Sequence, residues 1–158
     1  MSMIERLEHI AYRIANPVVK ALLRSPLHKI TSDNLTLLHF TGRKSGRSFV
    51  TPLSYVREQD CVWLLSAHTT RWWMNLRGGE APVSLEIARK IYTGKARLWE
   101  DDSEELRDRV RRYLCALPRD AKVYGIKLDQ NKNPVAESLA QAAPQLVFVE
   151  ILLDHPSS

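Results

Sequence analysis

At 158 residues, 44% hydrophobic and 26% charged, the chain has the balance of one soluble domain with a substantial core. Twenty-three Lys and Arg against 18 Asp and Glu leave a formal charge of +5, compatible with an acidic cofactor, nucleic acid or an anionic membrane surface and selecting none of them. Only Cys61 and Cys115 are present, which excludes a disulfide framework; both lie in apolar runs and are expected as reduced core residues. No apolar run approaches the roughly 18 residues of a membrane span, and the charged start (Glu5, Arg6, Glu8) lacks the core of a secretion signal, so a cytoplasmic protein is expected.

Ile4, Leu7, Ile10, Ala11 and Ile14 recur at helical spacing and predict an amphipathic first helix. Asn16-Pro17 and Ser25-Pro26 each pair an N-cap residue with Pro at the first helical position, so residues 1–32 read as a bent helical segment. Its apolar stripe is expected to face the core; the alternative is a flap over a ligand or a membrane surface, aided by Lys20 and Arg24. Strand periodicity then begins. LTLLHFT (35–41) and FVTPLSYVRE (49–58) are joined by the turn GRKSGR, and Pro52, which has no N–H to donate, marks an edge or a bulge. CVWLLSA (61–67) is a third strand, RWWMNL (71–76) a short helical turn and RGGEAP (77–82) a loop. VSLEIA (83–88) and KIYTGKARLWE (90–100) are two further strands. Asp102 is expected to cap the next helix with Glu105 as its capping-box partner, burying Leu106, Val110, Tyr113, Leu114 and Leu117 and turning Arg107, Arg109, Arg111 and Arg112 mostly to water. After a loop-rich stretch (118–134) come a short helix (134–143) and a final strand, QLVFVEILL (145–153). The expected architecture is a single mainly β domain of the α+β class. It is an antiparallel barrel of about six strands over 33–153, with helices inserted before the last strand.

Few patterns carry catalytic chemistry. There is no Gly-x-Ser-x-Gly elbow, no Cys with a placed His, no phosphate loop of the Walker type, and the five His residues are scattered without metal-ligand spacing. The GRKSGR turn stands out: Gly42 and Gly46 allow positive φ, Arg43, Lys44 and Arg47 add charge and Ser45 a hydroxyl, so it reads either as a solvated hairpin or as an anion grip. Trp72 and Trp73 are adjacent and point in different directions. Core packing is the ordinary role of such residues, but both are not expected in one core, and one of them can wall a planar ligand while Asn75 caps or bonds a nearby loop. His68, Thr69 and Thr70 follow the third strand, where barrels place ligand contacts, though an exposed loop is the plainer reading. Basic residues are spread over helices as well as the turn, with no interleaved basic and aromatic strand, so nucleic acid is not an expected partner.

NPVVKALLRSPLH (16–28), TGRKSGRSFVTPLSYV (41–56), WWMNLRGGEAPVSLEI (72–87), TGKARL (93–98) and NPVAESLAQAAPQLVFVEI (133–151) together resemble the deazaflavin-dependent nitroreductase family of the flavin-reductase-like split β-barrel group. The resemblance implies a split barrel, usually a homodimer, that binds the 8-hydroxy-5-deazaflavin coenzyme (factor 420), with flavin mononucleotide as the alternative. It implies that Arg43, Lys44, Ser45, Gly46 and Arg47 hold the phosphate and acidic tail. Thr51, Pro52 and Leu53 would lie along the ring, and Ser66, Ala67, His68, Trp72 and Asn75 would complete the pocket. The implied reaction passes hydride from the coenzyme to a quinone, nitro compound or similar electron-poor acceptor, with no catalytic side chain required and His68 and Tyr124 as candidates on the substrate side. The chain departs from the family at AHTTR (67–71), which is short and lacks Pro, and in having only Tyr124 after Pro118. A non-catalytic carrier of a flavin, tetrapyrrole or fatty acid is therefore the second expectation.

Overall fold

The computed structural model describes residues 34–155; the expected N-terminal helices over residues 1–32, with their stripe and their suggested membrane contact, lie outside the described residues. Within this range seven strands form one antiparallel sheet: β1 Leu35–Thr41, β2 Ser48–Ser54, β3 Val56–Glu58, β4 Cys61–Ala67, β5 Ala81–Ile87, β6 Lys90–Trp99 and β7 Leu146–Leu153. The count exceeds the expected six because the second predicted strand breaks at Tyr55. Before it, β2 pairs with β1 in full register, Leu37 opposite Pro52; after it, β3 pairs with β4. Tyr55 itself leaves both ladders and its N–H donates to Asn34 O at 2.9 Å.

The sheet order β2-β1-β5-β6-β7-β4-β3 places two consecutive strands on opposite edges. One residue separates them, so the sheet must curl until its edges meet, which makes it a barrel. Inside, strand alternation sends Leu38, Phe40, Leu53, Leu64, Leu85, Val149 and their neighbours into one apolar cluster. Gly94 is required at the β6–β7 contact: a Cβ there would meet Leu152 O at 2.6 Å.

Helix α1, Glu104–Ala116, covers the outer face of β4 and β7 and buries the expected stripe against Leu65, Leu146 and Phe148 in a second cluster. Its cap is one residue later than expected. Ser103 accepts the Leu106 N–H at 3.0 Å, while Asp102 is drawn into a two-pronged pair with Arg107 and Glu105 pairs with Arg109. Arg109 is not a water-facing residue: it lies 3.9 Å over the Trp99 ring and reaches Glu150 at 3.0 Å. Cys115 is likewise not in the core but exposed near the end of α1, and Cys61 is half-buried. A 3-10 segment, Pro118–Tyr124, a short helix α2, Ala136–Ala142, and a further 3-10 turn, Ala143–Gln145, lead into β7. Among the described residues no helix is long and apolar enough to cross a membrane.

Candidate functional site

The turn between β1 and β2 is built by its own hydrogen bonds. Gly42 N–H donates to Arg47 O at 2.7 Å, Gly46 N–H to Gly42 O at 2.9 Å, and Arg47 N–H to the Ser45 hydroxyl at 3.2 Å. Of the two glycines, only Gly46 takes the left-handed conformation, at φ +70°. Gly42 is needed for space instead, since a Cβ there would lie 2.6 Å from Ser45 Oγ and 2.7 Å from the Phe49 ring. With these amides already bonded, the turn offers an anion its side chains rather than a ring of N–H groups. Arg43, Lys44 and Arg47 are exposed, and none has a carboxylate partner among the described residues.

Asn75 docks this turn onto the barrel. Its Oδ1 accepts the Arg43 N–H at 2.9 Å and its Nδ2 donates to Trp72 O at 3.1 Å, so it bonds the nearby loop as its position suggested. It stands on the 3-10 turn Trp72–Leu76, whose two tryptophans are both in the core, at 1% and 0% exposure. The expectation that they could not share a core fails because each indole N–H finds an acceptor at the end of β4: Trp72 bonds Ser66 Oγ at 3.2 Å and Trp73 bonds Ala67 O at 3.1 Å. Trp72 therefore supports the site from within the barrel and has no exposed face to wall a ligand.

Between the turn and β4 runs a seam in the barrel wall. β2 is hydrogen-bonded to β1 alone, and β4 beyond Trp63 is bonded to β7 alone, while β2 and β4 approach one another. Two strand edges face this seam with no ladder partner. On β4 the outward carbonyls of Leu65 and Ala67 are taken by Tyr124 and by Trp73 and Thr70, so the edge of β2 and the outward N–H groups of β4 are what a ligand can meet. Pro52, in register opposite Leu37, sits on that edge, the place where a residue without N–H is tolerated. Thr51 and Ser54 are buried on the same strand, and their hydroxyl oxygens have no hydrogen-bond partner among the described residues. Thr51, Pro52, Leu53 and Ser66 are buried, Ala67 half-buried. An edge with orphaned polar atoms beside uncompensated cations fits a flat, polar-rimmed, anionic ligand.

His68 is brought to the site's margin rather than into it. Its Nε2 lies 2.7 Å from Glu100 O, and its ring meets the Trp73 ring edge-on at 5.2 Å. Glu100 in turn holds Arg77 through two hydrogen bonds, at 2.9 and 2.7 Å, and Arg77 lies 5.1 Å over Trp73. Donating to the Glu100 carboxylate makes the Arg77 guanidinium still harder to deprotonate. This ring of contacts braces the short 67–71 loop, as does Thr70, which bonds Ser66 Oγ at 2.7 Å and Ala67 O at 2.9 Å. Tyr124 packs in the cluster under α1, and its hydroxyl donates to Leu65 O of the β4 edge at 2.7 Å. The seam edge of β4 and the Arg77–Glu100 brace carry no sequence motif and were not foreseen. Among the described residues no cluster of His, Cys, Asp and Glu is arranged to hold a metal.

Residues 12–135 match the family described as F420H(2)-dependent quinone reductase. No curated protein matches the sequence. Among solved structures, a protein of unknown function from Agrobacterium tumefaciens str. C58 aligns with a TM-score of 0.55 at 14% identity, over 84% of this chain and 57% of that one. A protein from Clostridium acetobutylicum related to general stress protein 26, of the pyridoxinephosphate oxidase family, aligns at 0.51 and 10% identity, over 85% and 84%. An F420-H2 dependent reductase aligns at 0.49 and 20% identity, over 77% and 95%. The closed sheet order, together with the two alignments above a TM-score of 0.5, makes the fold a split barrel.

Proposed function

The chain belongs to the F420H(2)-dependent quinone reductase family, and from that premise we propose that its seam holds the deazaflavin coenzyme for the reduction of a quinone. It is an F420-dependent oxidoreductase. The observation that supports this use of the seam is the convergence of three cations without carboxylate partners, docked through Asn75, on two strand edges without ladder partners. When bound, the coenzyme supplies the hydride.

The residues bind and orient. Arg43, Lys44 and Arg47 attract the phosphate and acidic tail, with the Ser45 hydroxyl as a further donor. The outward edge of β2 and the outward N–H groups of Leu65 and Ala67 on β4 offer main-chain partners to the polar rim of the ring, and Thr51, buried on the core side of β2, shapes that edge from beneath. Pro52 gives the ring an apolar edge, and Leu53 supports that strand from within the barrel core. Ser66 and Ala67 are held in place by Trp72, Trp73 and Thr70. His68 and Tyr124 act by bracing, since each already has a main-chain partner. The finer assignment of acceptor is quinones first, with nitro compounds sharing the same need for hydride at an electron-poor centre.

Titration of the purified protein with the oxidised coenzyme, followed by Trp fluorescence, tests the binding half; flavin mononucleotide is the comparator. Binding of the coenzyme tighter than about 100 μM, roughly −5.5 kcal/mol, is expected. Loss of the reduced coenzyme's absorbance on adding a naphthoquinone or a nitroaromatic then tests the reaction. Tight binding without turnover of either acceptor would replace the reductase reading with a carrier.

A further inference from the structure

Cys61 and Cys115 are the chain's only cysteines and lie far apart in sequence, yet they line one groove of about 800 Å³ together with Gln59, Trp63, Arg111 and Arg112. Cys61 opens β4; Cys115 stands one residue from the end of α1. Both thiols are free, one half-buried and one exposed. This groove is not part of the seam: Ser66 and Ala67 are at the other end of β4, roughly 17 Å away at the rise of a strand.

The two thiols are unequal. Burial, and after it the carboxylates of Glu150, Asp60 and Glu58, push the Cys61 thiol up and keep it protonated. Cys115 is open to solvent on the groove it shares with Arg111 and Arg112, whose guanidinium groups pair with Asp108, and its own contact is weak, 3.5 Å to Asn133 Oδ1. An oxidant therefore meets Cys115 first, and a second thiol waits across the groove.

We propose that this groove is a thiol-redox site, in which Cys115 is oxidised by a hydroperoxide and then captured by Cys61 as a disulfide joining α1 to β4. In the first step the Cys115 thiolate attacks the peroxide, the O–O bond breaks, the sulfur becomes a sulfenic acid and the leaving oxygen takes a proton from solvent. In the second, the Cys61 sulfur displaces the sulfenic hydroxyl, which leaves as water with the Cys61 proton. Two thiols lose two hydrogens and one hydroperoxide is reduced. A disulfide needs the two Cα atoms about 5.5–6 Å apart. Both thiols stand where backbone yields readily, so the groove can close to that distance: Cys61 follows the turn at Gln59, φ 55°, and Cys115 is in the last turn of α1.

The test uses the whole chain, treated with hydrogen peroxide or diamide, alkylated, and weighed intact and as peptides. The expected product is monomeric, two hydrogens lighter, unalkylated and linked between Cys61 and Cys115; it is reversed by dithiothreitol and has a Tm about 5 °C or more higher. Cys61→Ser should leave Cys115 as a sulfenic acid that reacts with dimedone, and Cys115→Ser should abolish oxidation. Disulfide-linked dimers, over-oxidised Cys115 beside a Cys61 that still alkylates, or unchanged thiols would overturn the proposal. The wild-type masses decide alone if a variant does not fold. Because the readout is mass, the outcome is independent of whether the seam binds a coenzyme.

Discussion

Asn75 Oδ1 accepts the main-chain N–H of Arg43 at 2.9 Å, and through this bond the 3-10 turn that carries both core tryptophans fixes the position of the cationic loop. Asn75→Leu keeps the size and removes both of its hydrogen bonds. The expected result is a coenzyme Kd raised about tenfold with kcat within about twofold, because the chemistry at the ring is untouched while the grip on the tail is misplaced. Asn75→Asp keeps the acceptor for Arg43 but adds a negative charge beside an anion site, so its deficit should shrink as salt is raised. Equal Kd values for wild type and Asn75→Leu would show that the turn is positioned without this bond.

The cations themselves make a second prediction. Arg43→Ala with Lys44→Ala removes two of the turn's three cations, none of which has a carboxylate partner among the described residues. Coenzyme binding should weaken by more than about tenfold at low salt, and the gap from wild type should close as ionic strength rises. The fold should not suffer, since neither side chain is buried. Fluorescence titrations at several salt concentrations, beside a thermal melt, separate the two effects.

Much of this arrangement could be read from residues alone. The alternation in LTLLHFT and CVWLLSA located β1 and β4 to the residue, and Pro52 correctly marked an edge. What could not be read were the events in which one segment changes partner. Tyr55 looks like the middle of a strand, and only the closure of the sheet makes it the point where the chain leaves β1 for β4. The tryptophans were misjudged for a related reason. Whether an indole can be buried depends on an acceptor for its N–H, and Ser66 Oγ and Ala67 O come within reach only once β4 and the 3-10 turn have packed. Tyr124, which the resemblance puts on the substrate side, packs in the cluster under α1 with its hydroxyl on Leu65 O, a contact that no sequence pattern announces.

Under α1 a buried pair predicts a pH effect on stability. The Tyr113 hydroxyl donates to Asp120 Oδ2 at 2.8 Å, while Asp120 Oδ1 has no hydrogen bond among the described residues and lies 3.8 Å from Arg119 Nε. Burial is the dominant influence and raises the Asp120 carboxyl above its ordinary range, outweighing the Tyr113 bond and Arg119, which pull the other way. Burial also raises Tyr113 well above the usual range for a phenol, so it remains a donor. Since the folded state binds the Asp120 proton more tightly than the unfolded chain, this carboxyl's stabilisation is complete below the ordinary carboxylate range. It is lost as pH rises through the folded value. Asp120→Asn should therefore melt above wild type at pH 8 and no higher than wild type at pH 4. Tyr113→Phe should cost about 1–3 kcal/mol at neutral pH by stranding the carboxylate. A difference between Asp120→Asn and wild type that does not vary with pH would show that Asp120 ionises alike in both states.

The two glycines of the turn should respond differently to the same substitution. At Gly46 a Cβ meets nothing within 4 Å, so Gly46→Ala carries only the penalty of the left-handed conformation at φ +70°, about 1–2 kcal/mol. The turn keeps its shape in that variant, and coenzyme affinity should change less than about threefold. At Gly42 the added Cβ would lie 2.6 Å from Ser45 Oγ and 2.7 Å from the Phe49 ring, and Phe49 stacks on Phe40 with centroids 5.6 Å apart. Something must move, and the movement passes to the Ser45 hydroxyl that accepts the Arg47 N–H. Gly42→Ala should therefore displace Arg47 and lower coenzyme affinity about tenfold even under conditions where the protein remains folded. Chemical denaturation and coenzyme titration of both variants, side by side, distinguish strain held within the turn from strain that reaches the binding cations.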